Sequence, residues 1–286
     1  MHRAQYDKGE ALLYVVATPI GNLQDLSLRA LDVLKRVDVV AAEDTRNTSH
    51  LLRHFEISTS LIAAHAHNEK KAADKIVALL QAGKSVALVS DAGTPAVSDP
   101  GALMVERARS AGFRVVPVPG ANAAIAAFSA SGMQSPQFLF YGFLPGKASA
   151  RRRELENLQA LPCTLVFYEA PHRILECAAD LSEVLGKQRR ITIARELTKL
   201  FESIHTCILG EAGEWLGTDL NRLKGEFVLL VSGAEPVADE NAAAERILKI
   251  LLAELPLKQA VKLAAAISGA GKKTLYARAL EIKGEI

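Results

Sequence analysis

The sequence predicts an α/β protein: two sheet-and-helix domains with a cleft between them, followed by a helical tail. Three observations carry this expectation. Short valine-rich runs alternate with helical periods over residues 1–119, a second set of strand-like runs follows a stretch of small residues over 120–236, and residues 237–286 read as three short helices. Strand and helix in alternation mark a largely parallel sheet, whose ligands belong at the carboxyl ends of its strands.

In the first domain, residues 12–17, 37–42, 86–90 and 115–118 are short and apolar enough to be strands. Between them, 27–37 and 72–80 place apolar residues at helical spacing. The run GANAAIAAFSASG at 120–132 is almost wholly small or apolar and predicts a tightly packed helix. Strands are expected at 138–143, 164–168, 191–194 and 227–231, with helices near 150–160, 174–185 and 211–216. The cleft between two such domains is the natural place for a ligand. In the tail, helices are expected at 242–255, 257–268 and 272–281. The last two are separated by Gly269-Ala270-Gly271, which matches a helix-turn-helix.

Composition excludes several classes. Of 286 residues, 49% are hydrophobic and 23% charged, a mixture that builds a core and argues against disorder. The longest apolar run, 12–20, falls far short of the ~20 residues that a bilayer span needs. It leads into Gly21 and Asn22 without a secretory cleavage pattern, so a cytoplasmic protein with no membrane partner is expected. The three cysteines, Cys163, Cys177 and Cys207, lack the spacing of a disulfide framework or a zinc site. No metal is expected, and His65 and His67 read as loop residues. The net charge is +2, but residues 241–286 hold eight Lys or Arg against four Glu, which makes the tail the basic end. A second basic patch is Lys147 with Arg151, Arg152 and Arg153. Both patches are candidate phosphate contacts, and a solvated helix face is the plainer explanation of either.

The chemistry-bearing segments fall at strand ends. Thr18-Pro19-Ile20-Gly21 ends the first strand abruptly, because proline removes a donor and glycine frees the backbone. Ser90-Asp91-Ala92-Gly93-Thr94-Pro95 ends another, with Ser98-Asp99-Pro100-Gly101 starting a helix. An acid, a glycine and a threonine there could hold a polar ligand through carboxylate, backbone and hydroxyl. Ala42-Glu43-Asp44-Thr45-Arg46 puts two acids and an arginine after a strand. Helix capping by Asp44 or Thr45 accounts for part of it, and Glu43 is left as a candidate base. Segments 167–173 and 194–199 have the same form in the second domain. The loops GxGxxG and GxxxxGK[ST] are missing, as are HExxH and GxSxG, which leaves dinucleotide, triphosphate, metalloprotease and serine-hydrolase chemistry without a signature.

Taken together, TPIGNLxD, AAEDTR, LVSDAGTPxxSDPG, VPVPG, YGFLP, FYExPHR, ARELTK and KGEFVLLV, in this order, resemble the tetrapyrrole-methylase superfamily. More narrowly they resemble the ribosomal RNA small subunit methyltransferase I family, which 2'-O-methylates a cytidine ribose of 16S rRNA with S-adenosylmethionine. The resemblance runs from about residue 12 to 231, and the basic tail is similar to that family's helix-turn-helix. It implies that the methyl donor lies in the cleft, with Pro19 beside it and Ser90, Asp91, Ala92, Gly93 and Thr94 cradling it. Ala121, Asn122, Tyr168, Lys224, Gly225 and Glu226 would complete the pocket. The chain departs from the wider superfamily in reading Gly120-Ala121-Asn122 where Gly-Pro-Ser is common. Glu43, Asp44 and Asp91 are the candidates for removing the ribose proton, with Arg46 positioning a phosphate. RNA contact would fall to Arg151, Arg152, Arg153, Lys272, Lys273 and Arg278. The implied partners are the small ribosomal subunit and a second copy of the chain in a homodimer. Two alternatives are a tetrapyrrole methyltransferase with the same donor cleft, and a nucleic-acid-binding regulator that senses a ligand.

Overall fold

The computed structural model describes residues 10–235 and 240–284. The chain forms two compact units, Met1–Gly233 and Ala234–Ile286. Both expected α/β domains lie in the first unit, as two sheets of one compact body. The expected boundary at 236/237 lies outside the described residues.

The first sheet takes β1 (Leu12–Val16), β2 (Val39–Ala42), β3 (Ser60–Ala63), β4 (Val86–Val89) and β5 (Arg114–Val118) in the order β3-β2-β4-β1-β5, all parallel. Helices α1 (Leu28–Arg36), α2 (Thr45–His54), α3 (Glu69–Gln81) and α4 (Ala102–Ser110) make the crossovers. Alternation along the strands sends Leu12, Tyr14, Val16, Val40 and Val89 to one face, where they pack on Val33 and Leu34 of α1 and Leu52 of α2. Leu13, Ala41, Val86 and Leu88 go to the other, against Ile76 and Leu80 of α3 and Met104 of α4. A sheet covered on both faces accounts for strands that read as unbroken apolar runs. The ends of α1 are set locally: the Ser27 hydroxyl accepts from the Ala30 amide, and Lys35 and Arg36 close its last turn.

The second sheet takes β6 (Phe138–Phe143), β7 (Thr164–Glu169), β8 (Arg190–Arg195), β9 (Ser203–Ile208) and β10 (Phe227–Val231) in the order β6-β7-β10-β8-β9. Only the β6–β7 pair is parallel. One face packs on α6 (Ala148–Leu158), α7 (Ile174–Leu185) and α8 (Leu209–Gly217) through Leu165, Phe167, Ile193 and Leu229. The other, with Val166, Ala194, Val228 and Leu230, is covered by α5 (Ala123–Ala130) through Ala124 and Ala127. That helix is shorter than expected because Asn122 caps it, accepting from the Ile125 amide.

The second unit contains α9 (Glu240–Glu254), α10 (Leu257–Ser268) and α11 (Lys272–Gly284). Ala244, Leu248, Val261, Ala264, Leu275 and Ala279 form its core, and Gly269 ends α10 in the left-handed conformation. Among the described residues no helix is long and apolar enough to cross a membrane.

Arg151 corrects the sequence reading. Its side chain is 1% exposed, and Nε donates to Asp180 Oδ2 at 2.5 Å while Nη1 donates to the Gly146 carbonyl. Its place on the inward face of α6 commits the guanidinium to the domain interior, so it is not available to RNA. Asp180 keeps Arg152 as a second partner at 2.6 Å, which places the loss at the low end of the cost of breaking a buried pair. Arg151→Met is expected to cost about 3 kcal/mol, a fall in Tm of roughly 6–12 °C. Thermal denaturation of the two proteins checks this, and an unchanged Tm would contradict the structural role.

Candidate active site

Sheet register gathers the motifs at strand ends. Ala42 pairs with Val89, so Glu43 and Asp44 leave β2 beside Ser90 and Asp91 leaving β4. In the second sheet Phe227 pairs with both Glu169 and Arg195, which brings the ends of β7 and β8 to the start of β10. Tyr168, Leu197 and Glu226 thereby share one edge with the first sheet's loops.

The loop after β1 and the loop after β4 are bonded to each other. The Thr18 amide donates to the Gly93 carbonyl at 2.8 Å, the Gly93 amide returns to Thr18 at 2.9 Å, and the Thr18 hydroxyl donates to the Ser90 carbonyl. Gly93 sits at φ +79°, a conformation that costs glycine little and other residues more. Thr94 Oγ1 donates to the Ala121 carbonyl at 3.1 Å, and Tyr168 Oη accepts from the Ala124 amide at 3.2 Å. These bonds tie both loops and the start of α5 around one cavity.

That cavity has a volume of about 360 Å³. Of the expected donor-binding residues, Ala92, Gly93, Thr94, Asn122, Tyr168 and Glu226 line it. The others stand behind or beside the wall. Ser90 is buried, Pro19 precedes the lining residue Ile20, and Ala121 supplies the carbonyl held by Thr94. Lys224 points to Asn221 Oδ1, and Gly225 turns at φ +94° where a Cβ would meet Glu196 at 2.4 Å. Glu226 is held by Lys199 Nζ at 2.8 Å, which also grips Glu196.

The expected catalytic residues are placed differently. Asp44 caps α2 by accepting from the Arg46 amide, and its carboxylate is clasped by the Arg46 guanidinium, which holds its pKa down at about 2. Arg46 itself is 86% exposed. Asp91 spends its two oxygens on the Asp44 amide and the Asn47 side chain, while its own amide donates to Glu43 Oε2. Burial raises the Glu43 pKa, and the negative charges of Asp91 and Asp44 add to the effect. None of these four lines the cavity.

Sequence reasoning missed Asp99. It was read as part of a helix start, yet it lines the cavity beside Ser98 and Val97. Burial and the nearby Glu43 carboxylate raise its pKa to about 6, partly opposed by the Ser90 hydroxyl. Ala96 and Ser98 on either side of Val97 adopt φ of +67° and +63°, and Glu196 and Thr198 on either side of Leu197 adopt +53° and +67°. Both loops thus hold strained non-glycine backbone where they present Val97 and Leu197 to the cavity. Such conformations leave little trace in composition; the Ser-Asp-Pro-Gly string was the available signal. Among the described residues, no group of three or more His, Cys, Asp or Glu could hold a metal ion.

The basic residues separate by burial and pairing. Arg152 bonds to Asp180 and Glu183, and Arg153 is exposed on α6. In the second unit Lys272 and Lys273 of α11, with Lys258 and Lys262 of α10, line a groove that also contains Tyr276 and Leu280. Arg278 is engaged by Glu245 at 2.7 Å and Glu281 at 2.6 Å.

The model of tetrapyrrole (corrin/porphyrin) methylases matches residues 12–213, nearly all of the first unit. The chain belongs to that family. A model of the RsmI C-terminal HTH domain matches residues 238–283. The ribosomal RNA small subunit methyltransferase I of Pseudomonas aeruginosa is 52% identical over 96% of this chain and 98% of its own. The protein of the same name from Escherichia coli O157:H7 is 50% identical over 97% and 98%. Among solved structures, a cobalt precorrin-4 methyltransferase superposes with a TM-score of 0.59 at 16% identity, over 80% of this chain and 98% of that one. A uroporphyrin-III C-methyltransferase from Thermus thermophilus, complexed with S-adenosylhomocysteine, gives 0.54 at 18%, over 78% and 97%. Fold and relatives together make this chain a methyltransferase.

The Asp99 environment has a measurable consequence. With its folded pKa near 6 and the ordinary value 3.8, the folded protein holds more protons than the unfolded chain between those limits, so stability falls as pH rises through that window. Asp99→Asn lacks this loss, and its Tm relative to the parent is expected to climb from pH 4 to pH 7. A difference that stays constant with pH would contradict the assignment.

Proposed function

We propose that this chain transfers the methyl group of S-adenosylmethionine to the 2'-hydroxyl of a cytidine ribose in 16S ribosomal RNA, with the assembled small subunit as substrate. The observation that carries the reading is the cavity, walled by three loops of the first sheet and four strand ends of the second, in a chain half identical to its named relatives along nearly its whole length. Its volume falls within the ~300–1,000 Å³ typical of small-molecule sites.

The lining suits the donor. Ile20, Leu197, Val228 and the rings of Phe143 and Tyr168 offer an apolar and aromatic wall for a nucleoside, and the carboxylates of Asp99 and Glu226 offer negative charge to a sulfonium and an ammonium. When bound, the donor supplies an electrophilic methyl group. The chain's own contribution is alignment of nucleophile, methyl and sulfur, which the mutual bonding of the loops favours by fixing the walls in advance.

The RNA is met by exposed cations. Lys258, Lys262, Lys272 and Lys273 offer phosphate contacts around a groove where Tyr276 offers a stacking face. Arg153 adds a charge from α6, whereas Arg152 and Arg278 already hold carboxylates. The family resemblance extends the proposal to a homodimer working in the cytoplasm.

The test is transfer of labelled methyl from S-adenosylmethionine to small subunits from a strain lacking this gene, followed by alkaline hydrolysis. A 2'-O-methyl group removes the hydroxyl needed for backbone cleavage, so one newly resistant cytidine is the expected result. Intact donor binding with no transfer to subunits would overturn the RNA reading and direct the search to tetrapyrrole acceptors.

A further inference from the structure

Alternation along β6 sends Leu139 and Tyr141 to the face packed by α6 and α7, and Phe140 to the opposite face, which α5 covers. Continued without interruption, it would send Phe143 after Tyr141 into the α6–α7 core. A bulge prevents this. The pairing with β7 shifts between Phe140 and Gly142, so that Gly142 pairs with Phe167 and Phe143 with Tyr168. One extra residue thus turns Phe143 to the face of Tyr168, where it lines the cavity. The chain is fixed on both sides of the ring. Gly142 sits at φ +83° against Ser98, whose Oγ would lie 2.7 Å from an added Cβ. Leu144 is buried, and its carbonyl accepts from Arg173 Nη2 at 2.7 Å, a guanidinium held in turn by Glu169. The rings of Phe143 and Tyr168 meet edge-on, with centroids 5.6 Å apart. Phe143 stays 53% exposed, whereas Leu197, Phe227 and Val228 of the same cavity wall are buried.

We infer that Phe143 is the platform for the base of the acceptor nucleotide, which leaves its RNA stack and lies on this ring while its ribose enters the cavity; the assignment rests on the ribose-methylation reading above. The two substrates differ in how they can approach. The donor is a small molecule, and such ligands are buried over most of their surface, which suits the inner wall of Ala194, Leu197 and Val228. The acceptor is one nucleotide of a polymer that stays outside, so it meets the exposed rim first. A cavity of about 360 Å³ admits a nucleotide and not a helix, and the acceptor must therefore be unstacked to enter. Unstacking removes base–base contact, and an exposed aromatic face returns contact of the same kind, whichever base is presented. Phe143 supplies that face from a strand end already fixed by Gly142 and Leu144, which keeps the ordering cost of binding low. Exposed cations follow on the same segment. Lys147 precedes α6 and Arg153 lies on it, and both suit the phosphates that flank a turned-out nucleotide.

The test compares the full-length protein with Phe143→Leu, which keeps an apolar side chain but no ring, and with Phe143→Tyr, which keeps the ring. S-adenosylhomocysteine is the probe of the donor site. Its affinity, read by calorimetry, is expected to stay within about threefold of the parent in both variants and reports that they are folded. Single-turnover methyl transfer at subsaturating small subunits is expected to fall about 10-fold or more in Phe143→Leu and to stay within about threefold of the parent in Phe143→Tyr. Transfer by Phe143→Leu at the parent's rate would overturn the inference while leaving the ribose reading intact. A fall in transfer matched by an equal loss of S-adenosylhomocysteine affinity would overturn it too, assigning the ring to the donor. So would a Phe143→Tyr protein as slow as Phe143→Leu, because the aromatic face would then not be what the acceptor needs. A parent that methylates no small subunit would overturn the RNA reading and this inference with it.

Discussion

The two-way hydrogen bond between Thr18 and Gly93 is the interaction on which the site depends. It joins the loops leaving β1 and β4, neighbours in the sheet, at the point where the strands end and the backbone would otherwise diverge. With those loops fixed, Ile20 reaches the second sheet's inner face and Thr94 reaches the carbonyl before α5. Tyr168 completes the frame by accepting from the first turn of that helix. Each bond is worth only about 1 kcal/mol by itself. Their value lies in setting the spacing of the cavity walls before any ligand arrives, which lowers the ordering cost of binding.

A second principle of the site is that like side chains are given unlike work by their neighbours. Asp44 is held ionised by Arg46, Asp91 braces two loops, and Glu43 accepts a backbone amide, so three of the acids stabilise the strand ends. The negative charges of Glu43 and Asp91 then act on Asp99, whose burial is the larger cause of its raised pKa. Structural carboxylates thus tune a cavity carboxylate without touching the ligand space. The second sheet makes the same division: Glu196 and Lys199 anchor the loop after β8, and Glu226 extends that anchor to the cavity wall.

The strands and most helices were legible because their apolar residues follow the periods of buried strand and amphipathic helix. The segments at strand ends were legible as a set because proline, glycine and acids interrupt apolar runs there. Three things were hidden. Helix α2, TRNTSHLLRH, has too few apolar positions to mark a face, and the edge strands β3 and β9 are short or alternate with polar residues. Arg151 looked identical to its exposed neighbours, since the direction of a helix face toward Asp180, 29 residues away, is a tertiary fact. Asp99 was hidden for a conformational reason: the positive φ values at Ala96 and Ser98 turn the loop so that residues 97–99 meet the cavity.

The function of the site turns on whether the methyl donor occupies the cavity bounded by Ile20, Thr94, Asn122, Tyr168 and Glu226. A crystal structure of the protein with S-adenosylhomocysteine tests it most directly. The expected result is ligand density filling that space, with its sulfur on the side of Asp99. Density at any other place, with this cavity empty, would contradict the account.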